Sequence, residues 1–458
     1  MDSLYVFTIP QVLFLVLYFG KLLTGASFNG HFIGNSEVMQ SLGGMALKQD
    51  FFGSLKGMHT QPPLLNFLFG IAILASESHF EIIVQIIWLL VAQLGLFFLT
   101  LGLKFFIKSH RITVALSCVY VFTPGTVMYA LWSYNTILVQ SFSIVLLVAF
   151  SLLLQKKWQI FSFSCVAFSS MLLFLIRVPF NFLFSIFLII FSWFMLGKVY
   201  RLRKHILMTL VLTLSSIAGV QLHYFVNFNL LSTSSWTYDQ SLNVLKRGLE
   251  TFEIAEIARQ SGCFSEIITK GPWQPIPAYP SCKDGAERVA SKEYFNESTR
   301  ANHLNSKEAL LGSLAIQKVL FFAMPRYPHA YFKVLFGTKD FEGTVFNYFG
   351  LRNFSFTPLK FFAYNLIPIL FAFSLLIFTI YSVFTFSSGI SKIRQIGALA
   401  FPLIITFYMN LYALLGESVE NERIRADSHP VTYFCAILLL ARVFESLGTK
   451  VTKRSNSL

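Results

Sequence analysis

An all-α protein that crosses a membrane many times is the fold class this sequence predicts, on three observations. The 458 residues are 55% hydrophobic and 13% charged, whereas ordinary soluble domains are about a quarter charged. Apolar runs such as 82–103, 206–224 and 361–384 reach or approach the roughly 20 residues needed to cross a bilayer. The basic residues fall between these runs, as they do in cytoplasmic loops. A soluble core cannot absorb this much apolar surface, and only helices or closed barrels satisfy their backbone in lipid.

The elements follow in order along the chain. A first run at 4–22 lacks a basic leader and a small-residue cleavage site, so it reads as a retained helix. A semi-polar first external loop, 23–62, precedes a short apolar run at 63–75. Further runs cover 82–103, 112–131, 136–155, 160–176, 180–196 and 206–228. A polar stretch, 232–357, carries twelve acidic and fourteen basic residues and is therefore near neutral, as a translocated domain would be. Within it, 310–322 is apolar enough for an amphipathic helix at a membrane surface. The chain re-enters the bilayer at 359–384, 398–415 and 432–443. This divides the protein into a membrane module (1–231), an extracytoplasmic and mostly helical insert (232–357) and a C-terminal membrane segment (358–458). The expectation is about 10–11 transmembrane helices.

The net charge of +14 raises the question of nucleic acid, and the charge distribution answers against it. Lys104, Lys108 and Arg111 form one cluster, Lys156 and Lys157 another, and Lys198, Arg201, Arg203 and Lys204 a third. Lys392 with Arg394, and Lys450 with Lys453 and Arg454, complete the set. Counting crossings back from these clusters places 232–357 outside, but the count is ambiguous near the N-terminus. If 63–75 crosses, loop 23–62 is cytoplasmic; if 63–75 is re-entrant, the loop is external. Thirteen residues fall in the length range of re-entrant segments.

Of five cysteines, Cys118, Cys165 and Cys435 lie in apolar runs and read as packing residues. Cys263 and Cys282 share the polar insert and form a disulfide candidate if it faces an oxidising compartment.

Several polar residues sit where chemistry could be done. Glu37 follows Ser36 shortly after the first helix. His59 and Gln61 precede Pro62-Pro63-Leu64, a sequence suited to starting a helix, since proline's missing N–H is no loss there. The blander reading makes Glu37 and Asp50 solvated loop charges. Asn135 follows the segment opened by Pro124, and Arg177 lies between two apolar runs, where an ionisable residue is a functional candidate. The densest charge cluster is Glu417, Glu420, Glu422, Arg423, Arg425 and Asp427. Its acids would suit a divalent cation in composition, but such sites need a defined oxygen geometry, and no metal or other cofactor is assigned.

With these motifs the sequence resembles the GT-C superfamily of membrane glycosyltransferases, which includes protein O-mannosyltransferases and the lipid A aminoarabinose transferase. The resemblance rests on the acidic element at Glu37, Pro62-Pro63-Leu64, Ser133-Tyr-Asn-Thr, Leu175-Ile-Arg-Val-Pro, Met324-Pro-Arg-Tyr-Pro-His-Ala-Tyr and Gly416-Glu-Ser-Val-Glu-Asn-Glu-Arg-Ile-Arg. It implies transfer of a sugar from a polyprenyl-phosphate carrier to a lipid, glycan or protein acceptor on the external face. Glu37 would be the general base, Arg423 and Arg425 would bind the carrier phosphate, and His59, Gln61, Asn135 and Arg177 would contact substrate. The likeness favours a bacterial cytoplasmic membrane with the site facing the periplasm, the endoplasmic reticulum being the alternative. Two positions depart from the family pattern. Ser36 replaces one of two paired acids and Asn135 replaces an Asp, which opens a different acceptor class or a catalytically silent homologue. A transporter or flippase of lipid-linked sugars, and a non-catalytic scaffold, are the competing readings.

Overall fold

The computed structural model describes residues 4–28, 42, 44–59, 61–107, 109–133, 135–154, 158–177, 203–231, 307–330, 402–406 and 428–455. It also describes positions 184, 186, 190, 234, 248–250, 252–253, 256–257, 370, 373–374 and 408–409. Every regular element among these residues is helical. In chain order they are α1 (Leu4–Leu23), α2 (Gly44–Gln49), α3 (Phe51–Gly57), α4 (Leu64–Ala75), α5 (Phe80–Phe106) and α6 (His110–Val121). Then come α7 (Pro124–Ala130), α8 (Thr136–Leu154), α9 (Gln159–Ile176), α10 (Arg203–Phe228), α11 (Lys307–Arg326) and α12 (His429–Ser455).

Four of these, α1, α5, α8 and α9, are long and apolar enough to cross a membrane. Their exposed faces are what lipid requires. Ile9, Val12, Val16, Phe19 and Leu23 make an outward stripe on α1, and Ile82, Ile86, Leu90, Leu94 and Phe97 make one on α5. Such contiguous apolar surface is rare on soluble monomers. Helix α8 is instead buried over its whole apolar window and forms the axis of the bundle, with α5 and α9 against it. Four such helices among the described residues are compatible with a polytopic membrane protein.

Close residue pairs fix the relative directions of α1, α5, α8 and α9. Phe7 meets Phe97 at 5.1 Å, Gln11 Nε2 donates to the Gln93 carbonyl at 3.2 Å, and Gln85 Nε2 donates to the Tyr18 hydroxyl at 3.0 Å. Numbers that rise on α1 while they fall on α5 mean the two helices are antiparallel. The start of α1 therefore sits at the Lys104 end, where Lys104 Nζ lies 5.0 Å from the Phe7 ring and Tyr5 lies 6.3 Å from His110. Helix α8 runs parallel to α5: Gly95 abuts Ser141, and Gly102 abuts Val148. Helix α9 returns, with Trp158 against Phe105 at 5.6 Å and Phe161 against Phe98 at 6.2 Å.

This register bears on the crossing count near the N-terminus. Helix α1 ends, and α5 begins, at the end opposite Lys104, so the intervening chain enters and leaves at one end. Helix α4 does not cross. Its 12 residues span about 18 Å at 1.5 Å per residue, short of a hydrocarbon core of about 30 Å. Phe69 stacks on Trp88 at 5.9 Å, and the turn at 76–79 joins α4 to α5, so α4 is antiparallel to α5. Its amino end lies about level with Gln93, at mid-depth. Helices α2 and α3 pack along it: Phe51 meets Phe67 at 5.7 Å, and Lys48 pairs with Glu77 at 2.6 Å. Asp50, a solvated loop charge on the blander reading, caps α3, its Oδ1 accepting the Gly53 N–H at 2.9 Å.

Helix α4 tolerates no side chain at Gly70, because a Cβ there would overlap the Phe51 ring. Replacing Gly70 by Ala forces that ring aside. The expected cost is about 1–3 kcal/mol, the usual range for overpacking, read as a lower unfolding temperature of the detergent-purified protein.

One expected element is corrected. The run 112–131 reads as a single crossing, but the chain breaks into α6 and α7. Pro124 has no N–H and excludes the helical conformation from the residue before it, and Thr123 is extended at φ −68°, ψ 127°. The Tyr120 carbonyl, which has no N–H to meet at Pro124, accepts the Thr123 N–H at 3.0 Å and two hydroxyls, Thr123 Oγ1 at 2.6 Å and Thr126 Oγ1 at 3.1 Å. The last apolar run also extends further than 432–443, as the 27-residue α12.

Candidate functional site

Two groups of buried polar residues lie away from the Lys104 end. The first surrounds the turn before α4. His59 and Gln61 are buried, held between α4 and the carboxyl end of α10. His59 lies 5.7 Å from the Phe228 ring, and the Tyr224 hydroxyl donates to the Gln61 carbonyl at 3.0 Å. Helix α10 ends where it does because Asn229 takes a left-handed conformation (φ 56°), a conformation Asn tolerates at a helix terminus. The Asn229 N–H then bonds the Phe225 carbonyl at 2.9 Å. That termination brings Tyr224 and Phe228 against the turn.

Asn66, on the first turn of α4, pins the same segment from the other side. Its Oδ1 accepts the Leu42 N–H at 2.7 Å, and its Nδ2 faces Met58 Sδ at 3.0 Å. Replacing Asn66 by Leu strands a buried N–H. The expected loss is about 1–3 kcal/mol, measurable by chemical unfolding, with the turn before α4 becoming sensitive to protease.

The second group is at the amino end of α8. Asn135 is the helix cap, its carbonyl accepting the Val139 N–H at 2.9 Å. Its Oδ1 is buried and makes no hydrogen bond among the described residues. By the α5–α8 register Asn135 lies about level with Leu89, close in depth to the start of α4. Ser133, Gln140 and Ser141, close to it in sequence, are also buried. A cavity of about 20 Å³ lies one turn further on, bordered by Tyr120, Thr126, Gln140, Ser141 and Pro430. That is room for about one water molecule. Pro430 belongs to the first turn of α12, and Gly125 of α7 approaches His429 beside it.

The structure thus brings His59 and Gln61 together at one mid-depth turn, with Asn135 at a second helix start at similar depth. Arg177 caps the carboxyl end of α9, its N–H bonding the Leu173 carbonyl at 3.0 Å, at the end away from Lys104. Glu37, Arg423, Arg425, Cys263 and Cys282 lie outside the described residues. Among the described residues no cluster of His, Cys, Asp and Glu could hold a metal ion. Sequence reasoning missed Tyr224, His223 and Asn66 as supports of the turn. Tyr224 and His223 sit inside an apolar run, where nothing in spacing marks them, whereas Asn66 follows Leu64-Leu65 closely enough to have drawn notice.

No protein-family model matches the chain, and no curated protein or solved structure matches it either.

Proposed function

We propose that this chain is a membrane glycosyltransferase of the GT-C type with about 10–11 crossings. It would move a sugar from a polyprenyl-phosphate carrier to a lipid, glycan or protein acceptor on the extracytoplasmic face. The observation that supports it is the antiparallel register of α1 and α5 with the half-length α4 between them. The basic residues Lys104 and Arg111 mark the cytoplasmic side. The chain leaves α1 and enters α5 at the opposite end, and on this reading Glu37, in the segment between them, lies on that side. The bundle belongs to a bacterial cytoplasmic membrane with its site towards the periplasm.

In this mechanism the Glu37 carboxylate takes the acceptor hydroxyl's proton as the oxygen attacks the anomeric carbon. The bond from that carbon to the phosphate oxygen breaks, and polyprenyl phosphate leaves with the electron pair. Arg423 and Arg425 offset its charge, since guanidinium engages phosphate oxygens in pairs. His59 and Gln61 supply donors at the amino end of α4, and Asn135 orients a sugar hydroxyl. Arg177 faces the same side.

A second reading, transport of a lipid-linked sugar, is favoured by one observation. Transporters place interrupted helices at mid-depth around their substrate, and both α4 and the α6–α7 break fit that description. Incubation of the purified protein with a polyprenyl-phosphate sugar separates the two. Release of free polyprenyl phosphate supports transfer, and its absence while the lipid changes leaflet supports transport.

A further inference from the structure

Gln61 is followed by two prolines, neither of which has an N–H, and the first backbone bond of α4 is from Phe67 N to the Pro63 carbonyl at 2.9 Å. The Gln61 carbonyl is buried, where an unbonded carbonyl is costly, and the Tyr224 hydroxyl donates to it at 3.0 Å. The residue before Tyr224, His223, lies with Nε2 3.1 Å from the Lys56 carbonyl and Nδ1 2.8 Å from Asn227 Nδ2. A carbonyl only accepts, so Nε2 carries the proton, and Nδ1 accepts from the Asn227 amide. Two consecutive residues of α10 thus hold carbonyls on both sides of His59.

We infer that Tyr224 is a positioning residue for the carrier-binding turn, its hydroxyl holding the Gln61 carbonyl so that His59 and Gln61 are set in place before the polyprenyl phosphate arrives. The inference rests on the glycosyl-transfer reading given above. Its physical content is preorganisation: a turn held in its bound geometry loses less freedom on binding. Tyr224 suits this role because it is also locked itself. It packs at 5.7 Å against Phe228 and joins Leu310, Leu314 and Leu320 of α11 in a second apolar cluster.

The test uses the full-length protein in lipid nanodiscs, with a polyprenyl-phosphate sugar as donor and polyprenyl phosphate alone as a binding probe. Tyr224→Phe removes one oxygen and leaves the ring packing intact. The expected result is a donor KM raised about tenfold, with kcat within about twofold and the same weakening of probe binding. Leu147→Ala, which cuts the main core on α8 away from the cluster that holds Tyr224, lowers the melting temperature and leaves KM unchanged. An unaltered KM in Tyr224→Phe overturns the inference, as does an equal rise in KM in Leu147→Ala. A wild-type protein that neither binds the probe nor transfers sugar overturns the functional reading, and the inference with it. Wild-type activity with an indifferent Tyr224→Phe removes the inference alone.

Discussion

If the proposed transfer mechanism holds, replacing Glu37 by Gln lowers sugar transfer by about 10²- to 10⁴-fold, the usual contribution of a general base. The two side chains are nearly isosteric, so carrier binding and stability stay close to those of the wild type. The amide can still orient the acceptor hydroxyl but cannot take its proton. The measurement is transfer from a polyprenyl-phosphate sugar, with probe binding followed in parallel. Because a proton transfer made in the transition state is lost, kcat falls while donor binding holds. Wild-type rates in Glu37→Gln would show that another group takes the proton. Ser36 sharpens this outcome: the position before Glu37 carries a hydroxyl and offers no carboxylate to take over.

The helical class and the candidate spans were legible from composition and apolar run length, because an apolar fraction of 55% leaves few other places for the side chains. Helices α5, α8 and α9 fall within a few residues of their apolar runs for the same reason. What composition could not reveal was depth. Residues 63–75 and 112–131 are both apolar, yet one spans about half the bilayer and the other is broken at Thr123. Prolines mark both places, and a proline says that a helix starts or stops without saying at which level. That level is set by tertiary pairs such as Phe69 on Trp88 and Tyr18 on Gln85, which join residues far apart in sequence. The candidate site divides in the same way. His59 and Gln61 stood out through the prolines that follow them, whereas Tyr224 acts through a hydroxyl at the end of an apolar helix and carries no local signal. Asn135 stood out by position, and its role as a helix cap with a side chain that does not cap emerged only from the hydrogen bonds.

The other large effect is all-or-none and concerns sidedness. In a background with its five cysteines replaced by Ala and expression retained, single cysteines at Ser36 and Glu77 react with an impermeant maleimide added outside intact cells. One at Arg111 reacts only after the membrane is opened. The reasoning is geometric. The pairs Phe7–Phe97, Gln11–Gln93 and Tyr18–Gln85 allow α1 and α5 only one relative direction. Helix α4 is too short to add a crossing. Whatever side Arg111 faces, Glu77, just before the start of α5, faces the other, and the chain leaves α1 on the side of Glu77; the proposed site requires Ser36 to lie there too. Labelling of Ser36→Cys and Arg111→Cys from the same side would contradict that requirement and separate Glu37 from any external acceptor. Labelling of both Ser36→Cys and Glu77→Cys from inside, with Arg111→Cys outside, would keep the fold and invert the bundle. The transfer site would then face the cytoplasm, and the acceptor would have to be sought there.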